Sequence, residues 1–170
     1  GMARQTIAVF VFLHDKDLFQ QSYTDLLHHR LLGPQQIYNV AVHKELEAKF
    51  LQMLIDAHDA TFVQRMQRMI DDTDTDSNDA LHKSFRTFLA HQINRTTPHK
   101  VPVPSQVLAL TKTAWPQSIR PSLLHRLPHQ LQTLSDAFAQ FYMRNHKFRE
   151  LSFLWNETTV VLRAKFPKQQ

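Results

Sequence analysis

The chain has 170 residues, 42% of them hydrophobic and 12 of them Phe, which is the length of one domain and enough apolar material for a packed core, so wholesale disorder is excluded. Zero Cys removes disulfides, cysteine nucleophiles and thiolate metal sites and suits an intracellular protein, and two Gly in all exclude glycine-rich phosphate loops and dinucleotide fingerprints. The overall charge of +5 hides a split: residues 1–79 carry 7 basic and 12 acidic side chains, whereas residues 80–170 carry 13 and 3.

The opening shows neither a charged segment leading into an apolar stretch nor a run long enough to span a membrane, and Gly1 before Met2 reads as a protease scar. Ile7–Leu13 is β-branched and aromatic, and by composition it reads as a strand. Asp15 and Asp17 offer an N-cap and an acidic first turn to a helix carrying Leu18, Tyr23, Leu26, Leu27 and Leu31. Gly33-Pro34 stops it, Gly suiting a left-handed C-cap and Pro being unable to continue the ladder. A second amphipathic stretch covers 37–58 and a third 61–70, with Phe62, Met66, Met69 and Ile70 as the latter's stripe. Residues 71–79 then read as an acidic loop, from which Asn78 caps a helix burying Leu81, Phe85, Phe88 and Leu89.

Pro98, Pro102 and Pro104 place a linker at 94–105. Val107–Leu110 reads as a short strand before Trp115-Pro116. A helix over 128–146 carries Leu131, Leu134, Phe138, Phe141 and Tyr142. In the tail, Leu151, Phe153 and Trp155 alternate with polar residues, and Val160, Leu162 and Phe166 follow after a turn, the pattern of two strands.

Three sites suggest themselves and each falls short. Asp72, Asp74 and Asp76 stand at the first, third and fifth places of a calcium loop, but Ser77 occupies the glycine place and Lys83 the place of the bidentate Glu. Eleven His invite zinc, yet His28-His29 diverge by about 100° on a helix and Pro128 separates His125 from His129. No nucleophile–base order or carboxylate pair rises above chance, so no catalytic residue, metal or cofactor is assigned. The basic second half permits an acidic partner, but its charges are scattered, which argues against nucleic acid.

Several segments in register resemble the cullin family. Val9–Gln20 with its Asp15-Lys16-Asp17 step, followed by Tyr23–Leu32, is similar to the cullin homology region; Leu110 with Trp115-Pro116 is a second hallmark, and Phe138–His146 with Arg149 and Leu151 a third. The resemblance implies a fold that is mainly α with a small α+β portion: a helical bundle (4–93), the linker (94–105), then a helix packed on a short antiparallel sheet in a partial α/β domain (106–170). It turns residues 4–13 into a bundle helix, its strand-like composition explained by burial all round.

As function, the resemblance implies a non-catalytic scaffold of a ubiquitin ligase in the cytoplasm or nucleus, which holds a RING-finger protein and through it a ubiquitin-conjugating enzyme. The RING strand would add to the sheet, with Leu151, Phe153, Trp155, Val160 and Leu162 lining that region. His28, His29 and Arg30 would form a weakened version of the family's basic groove for an acidic tail. Lys147-Phe148 departs from the family's Ser-Gly before Arg149. The family's receptor arm and winged-helix module have no counterpart here, which reads as a fragment or a reduced relative. The alternatives are a stand-alone interaction module and a basic nucleic-acid-binding helical domain, and exposed tail strands would allow a dimer.

Overall fold

The apolar run that opens the chain is a helix. In a computed structural model that describes residues 2–33, 40–96, 106–119 and 126–158, α1 (Met2–Phe12) packs on α3 (Val40–Ala57). Burial is one-sided, which corrects the expectation of burial all round. Phe10 is wholly enclosed, with its ring 5.0 Å from Phe19 and 5.3 Å from Phe62, while Val9, Val11 and Phe12 are exposed. A run of apolar residues without polar spacing carries no period, so only the neighbour α1 finds decides between helix and strand.

Helix α2 (Lys16–Leu32) starts where its cap predicts, the Asp15 carboxylate accepting from the Leu18 N–H at 3.1 Å. Its end has a different cause from the expected one. Gly33 is extended (φ −61°, ψ 162°), so no left-handed cap forms. Instead, a Cβ at Gly33 would lie 2.4 Å from the His29 carbonyl oxygen, to which the Gly33 N–H donates at 3.0 Å. Close approach rather than φ demands glycine. Gly33→Ala is expected to cost about 1–3 kcal/mol as the helix end is pushed off, read as a lowered melting temperature.

Helix α4 (Ala60–Asp72) is capped by Asp59, whose carboxylate takes the Thr61 N–H and hydroxyl and is thereby held below the usual carboxylate range. It buries Phe62, Val63, Met66, Met69 and Ile70 on one stripe. Helix α3 touches α1, α2 and α4, and α2 also lies on α4, so these four form the first unit.

The acidic stretch is not a nine-residue loop. Only Thr73 and Asp74 separate α4 from α5 (Thr75–Thr96). Asp76 sits in the first turn of α5, where the helix dipole favours a carboxylate. Asn78 lies inside α5 rather than capping it; its amide donates to the carbonyls of Asp72 at 3.2 Å and Asp74 at 2.6 Å, supplying partners to the end of the preceding helix.

Helix α5 packs on α6 (His129–Asn145). Their shared core is Phe85, Leu134, Phe138, Phe141 and Tyr142, with Leu81, Phe88 and Leu89 partly buried around it. Val107–Leu110 joins no ladder among the described residues: the Val107 N–H donates to His82 Nε2 at 2.9 Å, a side chain where a strand partner was expected. Leu151–Leu154 likewise pairs with no described strand, and Trp155–Glu157 is one 3-10 turn, closed by the Thr158 N–H to the Trp155 carbonyl at 3.2 Å. Trp155 therefore stands in a turn instead of the expected strand. Val160, Leu162 and Phe166 lie outside the described residues, and the antiparallel sheet is not among those that are described. Among these residues no helix is long and apolar enough to cross a membrane.

The two hydrophobic clusters are interleaved along the chain. Ala114 and Trp115, from beyond the proline-containing segment, lie in the core of the first unit, while α5, from before it, builds the core around α6.

Candidate partner-binding surface

The tail segment is placed by aromatic packing. Leu151 and Phe153 lean on the α5–α6 core, Phe153 meeting Phe138 edge-on at 6.5 Å and stacking on Trp155 at 5.2 Å. Leu151, Phe153 and Trp155 are all partly exposed, so they form a half-buried ledge, anchored from beneath and open above.

What holds this ledge relative to the helices is a polar rail along α4. Asp72, at its last position, is buried and accepts from the Thr111 N–H at 2.6 Å, the Thr111 hydroxyl at 3.0 Å and the Trp115 indole N–H at 2.9 Å. One turn earlier Arg68 reaches both Thr111 and Asp72, and Arg65 donates to the carbonyls of Ala114 at 2.7 Å and Trp115 at 2.8 Å. Trp115 presents its edge to His28 of α2, whose Nε2 lies 3.3 Å from a carboxylate oxygen of Glu157. Helix α2, residues 111–115 and the tail turn are thus fastened to one another.

The His28, His29 and Arg30 trio does not share a face. His28 is buried and turned toward Glu157 and Trp115, while His29 is exposed with its ring 4.7 Å from that of His28. Arg30 is bonded to Glu47 of α3 and lies 5.3 Å over the Tyr23 ring. The other Glu47 oxygen accepts a hydrogen bond from the Tyr23 hydroxyl. Burial, and then the Glu47 carboxylate, push the Tyr23 pKa up well beyond its ordinary value. The folded state therefore keeps a phenolic proton that the unfolded chain releases. Stability contributed here is present in full below about pH 10 and falls as pH rises above it. Tyr23→Phe is expected to reduce that alkaline loss, measured by chemical denaturation between about pH 9 and pH 11.

The calcium-spaced acids do not converge either. Asp72 is spent on protein donors, whereas Asp74 and Asp76 are exposed, and among the described residues no three His, Asp or Glu are grouped to hold a metal ion. Sequence reasoning named Asp72 only as a calcium candidate and missed its role as an acceptor, and it missed Arg65, Glu47 and Glu157. A signal for Asp72 was present: it lies three residues past Met69, so it continues the buried stripe of α4, and a carboxylate there requires donors.

The cullin alpha solenoid domain profile matches residues 2–98, and the cullin alpha+beta domain profile matches residues 109–170. The chain belongs to the cullin family. Cullin-1 of Dictyostelium discoideum is 26% identical over 165 residues, covering 97% of this chain and 20% of that protein. Cullin-4A of Mus musculus is 28% identical over 158 residues, covering 93% and 19%. Cullin-2 of Caenorhabditis elegans is 26% identical over 176 residues, covering 96% and 21%. This cullin chain spans about a fifth of the length of the relatives it matches.

Proposed function

We propose that this cullin chain is a non-catalytic scaffold segment of a cullin-RING-type ubiquitin ligase, working in the cytoplasm or nucleus, and that its tail holds the RING-finger subunit. The observation that carries the reading is family membership across both matched regions, and the anchored ledge of Leu151, Phe153 and Trp155 supports its placement. Val160 and Leu162 complete the proposed contact region from the sequence pattern. An extended partner segment laid along this region would gain affinity from backbone hydrogen bonds and register from the side-chain pockets. The RING subunit in turn recruits the ubiquitin-conjugating enzyme. The scaffold's contribution is geometry: held at fixed separation, two bound proteins meet at high effective concentration with no catalytic side chain from the holder. Recruitment of an acidic tail to α2 would fall chiefly to His29, since His28 and Arg30 are engaged with Glu157 and Glu47.

The test is co-expression with a RING-finger subunit from the same organism, followed by size-exclusion chromatography. Co-elution is expected for the parent chain and at least a tenfold weaker complex, about 1.4 kcal/mol, for Phe153→Asp and Leu162→Asp. Failure of the well-folded parent chain to co-elute overturns the reading in favour of a separate interaction module. Unchanged co-elution of both variants moves the RING site elsewhere on the chain.

A further inference from the structure

The tail turn occupies backbone groups that strand addition would use. An added strand is held by N–H and C=O groups standing free along an extended edge. Residues 151–154 are extended and pair with no described strand. Beyond them the backbone is engaged with itself. The Glu157 N–H donates to the Leu154 carbonyl at 3.2 Å and the Thr158 N–H to the Trp155 carbonyl at 3.2 Å, and the Thr158 hydroxyl donates to the Leu154 carbonyl as well, at 3.2 Å. The chain thus folds back at Trp155–Glu157, where the alternation of Leu151, Phe153 and Trp155 predicts that it runs on as a strand.

Such a turn is weak by itself. A single 3-10 turn has poorer hydrogen-bond geometry than an α-helix, and its neighbours Asn156 and Thr158 are exposed to competing water. Support comes from outside. One Glu157 carboxylate oxygen lies 3.3 Å from Nε2 of His28, on α2. A carboxylate accepts, so Nε2 supplies the hydrogen. The other oxygen takes the Asn156 amide at 3.3 Å, within the turn. The two ends of the His28–Glu157 contact are held unequally. His28 is 6% exposed and lies against the edge of Trp115, whose indole N–H is bound by Asp72. The Glu157 side chain is 27% exposed and rides on the turn, so the tail is the side that can let go.

We infer, on the RING-holding reading of the same segment, that the His28–Glu157 contact is an autoinhibitory latch. Closed, it holds residues 154–158 in a turn and limits the edge offered to a partner strand to residues 151–154. Open, it lets the tail extend, which frees the Leu154 and Trp155 carbonyls and the N–H groups of residues 157 and 158 for a ladder. The partner must work against the latch, so its apparent affinity is that of the open tail multiplied by the fraction of molecules that are open.

Hydrogen exchange of the full chain reads the latch with no partner present. Glu157→Ala is expected to speed exchange at residues 157 and 158 about tenfold, the worth of one hydrogen bond to a charged group, while α2, α4 and α6 keep their protection. Glu157→Gln, which keeps an acceptor for Nε2, is expected to stay close to the parent chain. Binding of the RING-finger subunit from the same organism then reads the inhibition. Glu157→Ala is expected to bind several-fold more tightly than the parent, although it removes a side chain next to the proposed contact region; a contact that merely supports the fold would leave binding equal or weaker.

Unchanged exchange in Glu157→Ala overturns the latch. Faster exchange with equal or weaker binding, where the parent chain binds, overturns the inhibition alone and makes the turn part of the bound form. Faster exchange with no binding by either chain overturns the inhibition together with the RING reading. Binding by Glu157→Ala where the parent chain fails to bind supports both.

Discussion

Replacing Asp72 by Ala is expected to destabilise the protein by about 3–5 kcal/mol, which lowers the melting temperature of a chain this size by roughly 10 °C. Three donors converge on this carboxylate within 3.0 Å, and removing it leaves the Thr111 N–H, the Thr111 hydroxyl and the buried Trp115 indole without their acceptor. Arg68 adds little to the sum, since it is more than half exposed and screened by water. Asp72→Asn keeps the shape but turns a donor toward a donor, so an intermediate loss is expected. Fluorescence discriminates this local release from general unfolding. In a Trp155→Phe background the emission belongs to Trp115 alone, and it should shift to the red in Asp72→Ala while the helical circular dichroism persists. A blue, unshifted spectrum would mean that packing on the first core suffices to seat Trp115.

Phe138→Ala is expected to cost about 3–5 kcal/mol by leaving a cavity in the second core. Phe138 is 1% exposed and its ring meets those of Phe85, Phe141, Tyr142 and Phe153, so among the described residues it joins α5, α6 and the tail ledge through ring contacts. Hydrogen exchange locates the damage. Protection at residues 151–158 should fall with that of α6, because Phe153 loses its support, while α2 and α4 retain theirs. Equal loss in all helices would show that the two cores melt as one cooperative unit. The same variant bears on function: if the ledge holds a RING subunit, losing its support should weaken co-elution without altering any surface residue.

Legibility followed the clarity of the periodic signal. Helices α2, α4 and α6 each alternate apolar and polar residues at helical spacing, and their bounds were read to within one or two residues. Helix α1 has six apolar residues in succession, Ile7–Phe12, and no period to read, and its helical state became legible only through resemblance to a family. In the acidic stretch, composition pointed to a loop. The observed helices run almost through it because carboxylates are favourable in the first turn of α5 and Asn78 serves the end of α4.

The candidate site divides along the same line. The aromatic spacing of Leu151, Phe153 and Trp155 and the Trp115 hallmark were visible in the chain, because short-range alternation and motifs are local properties. That Asp72 holds Trp115, that Glu47 occupies Arg30 and that Glu157 meets His28 across 129 positions were not visible, because which charges pair is decided by helices that sequence order leaves far apart. The amino-acid sequence by itself determined the helices other than α1, most of the residues in the two cores, and the resemblance to the cullin family. Only the tertiary structure decided which polar groups are free to meet a partner, since a charge is available for binding only where the fold has not already supplied its counter-charge.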